Sequence, residues 1–240
     1  MISIMVPALN EEKHISNVTK MISDVSIKLD IKIEIIIVND GSTDNTENIA
    51  ENLKSIYSYV SVIHNSTNLG GGDSLRKVIK IATGEKLLIV AGDGDMLAED
   101  LEFMLVNAHK ADMVFLYFVN KELRGRFRNI LSTLYNTIFV LFFKIYVQYI
   151  NGPCVLPLDK LKETPLFSKR FSIISEIAVK LLHSGCSYHE IPGYMQQGVD
   201  GSSAVSLRNL MEVFVSFIKL VIEIKITSRS KYNKVPHRIY

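Results

Sequence analysis

The chain has 240 residues, 48% hydrophobic and 22% charged, with 13 glycines and 6 prolines. This fits one globular domain with at most a short appendage and excludes collagen, disorder and a small disulfide scaffold. The 27 Lys+Arg against 25 Asp+Glu leave a formal charge of +2, too small for a surface built to hold nucleic acid.

The chain opens on a strand-like run at 2–6 and lacks the basic start and small-residue cleavage site of a signal peptide, so a reducing, cytoplasmic setting is expected. In that setting the sequons at Asn17 and Asn65 read as ordinary loop or helix residues. Further strand-like runs at 33–38, 60–64, 86–91 and 113–118 alternate with segments of helical period. The first helix is marked by Ile15, Val18, Ile22, Val25 and Leu29, at steps of three and four. The run IEIIIV at 33–38 is almost continuously apolar, as in a strand covered on both faces. An α/β fold with a mostly parallel, helix-covered sheet follows. Beyond Asn120 the pattern is less regular. Cys154 and Cys186 stand far apart and outside C-x-x-C spacing, so buried thiols are expected rather than a zinc or redox pair.

The run LYNTIFVLFFKIYVQYI at 134–150 is interrupted by Lys144 and Gln148 and falls short of the ~20 residues of a spanning helix. A buried or interfacial helix is expected. At 207–226, Leu210, Val213, Phe214, Phe217, Leu220, Val221 and Ile224 form an apolar stripe, followed by Arg229, Lys231, Lys234, His237 and Arg238. Such a stripe either packs on its own domain or lies on an anionic bilayer. The chain therefore divides into a domain over 1–205 and an amphipathic helix with a basic tail over 206–240.

In a parallel sheet the segments leaving the carboxyl ends of the strands open on one edge, where ligands bind. Four such segments are PALNE (7–11), NDGSTD (39–44), NLGGGD (68–73) and GDGD (92–95). Asp93 and Asp95 can offer hard oxygen donors to Mg²⁺ or Mn²⁺ while a diphosphate and waters complete the shell; otherwise they are turn formers. Asp40 can accept a hydrogen bond from the ring N–H of a base, while Ser42 or Thr43 can cap the next helix. The glycines at 70–72 do not make G-x-G-x-x-G, and P-loop, EF-hand and G-x-S-x-G patterns are missing from the sequence.

Taken together, IMVPALNEE, IIIVNDGSTDNT, NLGGGDSLRKVIKIATGE and VAGDGDM, with NGPCVLP and ISEIAVKLLHSGCSYHEIP more loosely, resemble the family 2 glycosyltransferases of the GT-A fold. The resemblance is strongest to the polyprenyl-phosphate sugar transferases and covers roughly residues 1–205. It implies that Pro7, Ala8, Asn10, Glu11 and Asp40 line a nucleoside pocket, that Asp73 and Arg76 lie beside it, and that Asp93 and Asp95 form a D-x-D metal motif with Asp95 the main ligand. It also implies an inverting transfer from a UDP- or GDP-sugar. The sequence departs from the branch pattern at Met96 and Leu97, and Gln196 and Gln197 stand where a basic residue is expected.

Two acceptors are compatible with that resemblance. A saccharide hydroxyl needs a general base, for which Glu176 is the candidate. A polyprenyl phosphate is already anionic and wants cations, which Arg124, Arg126 and Arg128 could supply, with contact to a membrane surface and a peripheral location. The other classes weighed are a nucleotidyltransferase and a non-catalytic nucleotide-binding membrane partner.

Overall fold

The computed structural model describes residues 1–123, 125–195 and 207–240, apart from the side chains of Arg128 and residues 207–210. Among the described residues eight strands form one sheet: β1 (Ile2–Ala8), β2 (Ile33–Asn39), β3 (Val60–His64), β4 (Lys86–Ile89), β5 (Met113–Phe118), β6 (Cys154–Pro157), β7 (Ser187–Gly193) and β8 (His237–Arg238). Their order is β3-β2-β1-β4-β6-β5-β7-β8, with only β6 running antiparallel to its neighbours.

The helices α1 (Ile15–Lys28), α2 (Thr46–Ile56) and α4 (Ala98–Val106) cover one face. The other carries α3 (Gly71–Ile81), α5 (Arg126–Phe143), α6 (Leu158–Lys162), α7 (Ile173–His183) and α8 (Leu207–Ile222). Alternation along β2 explains the two-sided cover: Ile35 and Ile37 join the core under α1 and α2, while Ile36 and Val38 join the core under α3. On α1, Ile15, Val18, Ile22 and Val25 are all buried, each contributing about 1.5–3 kcal/mol. Cys154 and Cys186 are both buried thiols, and burial pushes the Cys154 thiol up to about 12.

Two findings refine the sequence reading. The apolar run at 134–150 is not one helix: α5 starts at Arg126 and stops at Phe143, where Lys144 adopts a left-handed conformation with φ 54°. Beyond it Ile145, Val147 and Ile150 are buried in irregular chain, clamped by Asn136, whose amide donates to Val147 O and accepts from Ile150 N. The C-terminal tail returns to the sheet as β8 beside β7, with Tyr232 buried on the way. The expected division at 205/206 itself lies outside the described residues.

Register brings the strand ends together. Ala8 pairs with Asn39 and Asn39 with His64, so the loops after β1, β2 and β3 leave one edge. Because β6 is antiparallel, its entry at 151–154 reaches that same edge, with Pro153 O accepting from Leu116 N.

Candidate active site

The β1 and β2 loops are stitched by side chains bonding across to backbone. Asn10, left-handed at φ 59°, accepts from Thr43 N at 2.8 Å while its own N–H donates to Ser42 Oγ at 2.9 Å. Glu11 N donates to Thr46 Oγ1 at 2.8 Å. Asp44 braces the turn by accepting from Thr46 N and from Glu12 N. Both loops are thereby fixed by groups that short polar side chains supply more readily than backbone alone.

Asp40 is buried, and its carboxylate is taken up within the protein. Oδ1 accepts from Asn65 Nδ2 (2.7 Å), Leu69 N (3.0 Å) and Ser74 Oγ (3.2 Å), and Oδ2 from Gly70 N (2.9 Å). This arrangement does not match a carboxylate standing open to a base N–H. Asp40 instead folds the 65–74 segment onto the strand end, a placement that depends on Asn65, one of the two sequon asparagines. Arg76 is similarly engaged: it pairs with Asp73 at 2.6 Å and donates to Ser168 O at 2.8 Å. Gly72 completes that junction, because a Cβ there would collide with Ser168 O.

The acidic centre forms on the other side of β1. Asp40 N donates to Ala8 O and Gly92 N to Pro7 O, so the β2 and β4 loops flank the end of β1. A Cβ at Gly92 would come within 2.9 Å of Pro7 O, and the missing side chain lets the 92–95 loop lie against the strand. Asp93 Oδ1 accepts from Asp95 N at 3.1 Å. Burial, then the neighbouring Asp93, hold the Glu11 carboxyl above the usual range, with Asp44 and Asp95 adding and His14 opposing. Acids from three loops thus share one field. Asp95 also lines a cleft of about 240 Å³ with Met96, Asp100, Phe118, Asn151 and Gly152.

A raised carboxyl pKa means that the folded chain holds this proton more tightly than the unfolded one. The resulting contribution to stability is full below the unfolded value and is lost as pH rises through the folded one. Asp93→Asn should therefore bring the Glu11 carboxyl part of the way back down and lessen that loss; NMR titration of the Glu11 side chain would read it. An unchanged Glu11 titration in that variant would show that the two carboxylates do not interact.

The donor set fits a divalent cation. Asp93 and Asp95 are hard oxygen ligands in a locally negative field, which suits a doubly charged ion. Among the described residues no group of three or more His, Cys, Asp and Glu is arranged to hold a metal by itself. The pair can supply only part of a shell, as in sites where phosphate oxygens and waters supply the rest.

Other expected residues lie elsewhere. Glu176 on α7 is only 1% exposed and pairs with Lys180, itself 1% exposed, at 2.7 Å. It also accepts from Phe167 N at 3.0 Å and Ser168 N at 2.8 Å. A sealed, fully engaged carboxylate cannot reach an acceptor hydroxyl, so the base reading of Glu176 gives way to a structural one. Arg126 is exposed in the first turn of α5. Arg124, the Arg128 side chain, Gln196 and Gln197 lie outside the described residues.

His14 and Asp100 join the rim without having been expected, and Asp44, expected there only as part of the 39–44 segment, takes a bracing role. Asp100 accepts from Tyr194 N with both oxygens, at 3.0 and 3.2 Å, and burial raises its carboxyl. The Asp-x-Thr spacing could have flagged Asp44, but nothing local marks an acid on α4 that meets a backbone 94 residues away.

Comparison with known proteins bears on the family and the fold. The family model "Glycosyl transferase family 2" matches residues 3–157. An uncharacterized protein of Methanocaldococcus jannaschii is 25% identical over 90% of this chain and 97% of its own length. A dolichyl-phosphate beta-glucosyltransferase of Trichomonas vaginalis is 30% identical over 43% of this chain, which spans 33% of that relative's length. A poly(ribitol-phosphate) beta-glucosyltransferase of Bacillus spizizenii is 38% identical over 42% of this chain and 16% of its own. Among solved structures, glucosyl-3-phosphoglycerate synthase from Mycobacterium tuberculosis, in complex with Mg²⁺ and UDP, superposes with a TM-score of 0.65 at 17% identity over 92% of this chain and 79% of that one. The fold is the GT-A fold, and a match that takes in the loops after β1, β2, β3 and β4 as well as the entry to β6 means that the chain belongs to glycosyl transferase family 2.

Proposed function

We propose that the protein moves a glycosyl group from a UDP-sugar to a polyprenyl phosphate, with inversion at the anomeric carbon. The observation that carries the donor half is the meeting of Asp93 and Asp95 with Glu11 at the end of β1, beside the cleft. UDP is preferred to GDP because the structural neighbour binds it. Asp93 and Asp95 would hold Mg²⁺ or Mn²⁺, which when bound neutralises charge on the departing diphosphate. The remaining groups position and enclose. Asp40 fixes the 65–74 loop, the Asn10–Thr43 bonds fix the β1 rim, and Asp100 fixes the chain leaving β7 at Tyr194. In the transfer, an acceptor oxygen bonds to the anomeric carbon from the face opposite the breaking bond to the diphosphate.

The acceptor half is supported by the burial of Glu176. With that carboxylate sealed, an acceptor that arrives already ionised suits the site, since it needs no proton removed. The dolichyl-phosphate relative points the same way. The poly(ribitol-phosphate) relative favours a hydroxyl acceptor as the second reading.

Incubation with a labelled UDP-sugar, Mn²⁺ and polyprenyl phosphate is expected to give organic-extractable label that resists phosphatase. Label confined to water-soluble products would refute the lipid acceptor. UDP-sugar with Mn²⁺ at a hundredfold excess over Kd should stabilise the fold by about 2.7 kcal/mol, a rise of roughly 5–10 °C in Tm for a chain of this size. No rise with UDP- but a rise with GDP-sugars would reverse the base assignment.

A further inference from the structure

The faces of α5 and α8 that look away from the sheet are apolar. On α5, Phe127, Ile130, Leu134, Ile138 and Leu141 are exposed at helical spacing, Leu141 by 71%; on α8 the same holds for Met211, Phe214, Val215, Ile218 and Ile222, Phe214 by 62%. The helices meet at a seam where the Phe217 ring packs against Phe139, Phe142 and Phe143 at 5.0–5.7 Å between centroids. Phe142 is half exposed at that seam, so the stripes run side by side. Isolated exposed apolar residues are ordinary, but a contiguous stripe of this kind is not.

Charge identifies the partner. Residues 123–158 contain four Lys/Arg and no acid, and residues 207–240 contain seven Lys/Arg and only Glu212 and Glu223 as acids. Since the whole chain carries only +2, the remainder is net negative and the net positive charge is concentrated on these two segments. Lys144, Lys219, Lys225, Arg229 and Lys231 are exposed. Both acids are bonded to protein groups: Glu212 accepts from Ser172 and Ser216, and Glu223 pairs with buried Lys180 at 2.8 Å. No described helix is long and apolar enough to cross a membrane. Apolar side chains fringed by cations suit a helix pair lying in the interface plane of an anionic bilayer.

We propose that α5 and α8 together dock the protein on an anionic membrane surface. This deepens the lipid-acceptor reading, on which it rests for its purpose though not for its geometry: the docked face would hold the enzyme at the surface where a polyprenyl phosphate presents its headgroup.

The test is co-sedimentation of the full chain with vesicles of phosphatidylcholine, with and without phosphatidylglycerol, at low and high salt. Binding is expected only to the anionic vesicles, weakened by salt. Phe214→Glu with Ile218→Glu, or Leu134→Glu with Leu141→Glu, should lower partitioning by about tenfold or more. Ile27→Glu, exposed on α1 across the sheet, should not. Absence of wild-type binding, or double variants that bind as well as wild type, would overturn the proposal. A concentration-dependent dimer abolished by the same variants, without vesicle binding, would assign the face to a second copy instead. Donor thermal shift and transfer to a short-chain polyprenyl phosphate in detergent report on the functional reading separately. Double variants that leave vesicles yet still transfer in detergent would keep both proposals; vesicle binding without any transfer would sink the reaction and leave the docking face standing.

Discussion

Asp95→Asn is expected to lower sugar transfer by about 10²–10³-fold, the scale of losing one preorganised stabiliser of developing charge. Asparagine keeps the size and shape of the side chain but removes the charge that holds a divalent ion. The residual rate should demand more Mn²⁺ than wild type. Radiolabel transfer measured across a metal titration, with a thermal melt to confirm the fold, checks both parts. A wild-type rate at every metal concentration would show that this acid is not a ligand and would move the role to Asp93 alone.

The largest loss of stability is expected from Lys180→Met. The ammonium is 1% exposed and is held by Glu176 at 2.7 Å and Glu223 at 2.8 Å, with Pro165 O at 2.6 Å and the Phe167 ring 4.5 Å from its centroid. Removing it leaves a carboxylate buried without its counter-charge, which costs about 3–5 kcal/mol. For a chain of this size that is roughly 6–20 °C in Tm. Adding Glu176→Gln and Glu223→Gln should recover much of the loss, because a neutral cluster can rival a buried ion network. Urea melts of the single and triple variants decide this; a triple variant no better than the single would mean that packing, not charge, accounts for the site. Glu176→Gln alone, assayed below its melting range, also separates the two roles of that residue. A structural acid leaves the pH profile of transfer where it was, whereas a base would take the profile's acidic limb with it.

The first half of the fold was legible because its strands are largely apolar runs of ordinary length that alternate with segments of helical period. β3 and β5 end where the runs do, while β1 continues through Pro7 and Ala8 and β4 stops at Ile89, two residues before its apolar run. The sheet beyond β5 was not legible: β6 is four residues ending in a proline, β7 contains Pro192, and β8 is two residues long. Such strands exist only because a neighbour supplies the hydrogen bonds.

The site divides in the same way. Topology alone gathered Glu11, Asp93 and Asp95, since all three follow strand ends. The fate of Asp40 depended on distant groups, Asn65 and the amides at 69–70, and that of Glu176 on how the chain closes over it, with Lys180 one turn on and the amides of the preceding 167–168 strap. A charged residue reads as solvent-facing until the fold shows what closes over it, and α7 carries two that are closed over.

The pairing of Glu223 with Lys180 bears on how the chain comes apart. Glu223 follows α8, Lys180 sits in the middle of the sheet's helical cover, and Glu176 beside it holds the strap at 167–168 whose carbonyl is gripped by Arg76. The C-terminal segment therefore supplies one side of an interior ionic knot, and withdrawing it would take away one of the two carboxylates that hold Lys180, leaving Glu176 to balance the cation. The amphipathic end and the sheet domain are in this respect tied together, and one calorimetric peak, rather than melting in stages, is the expected result.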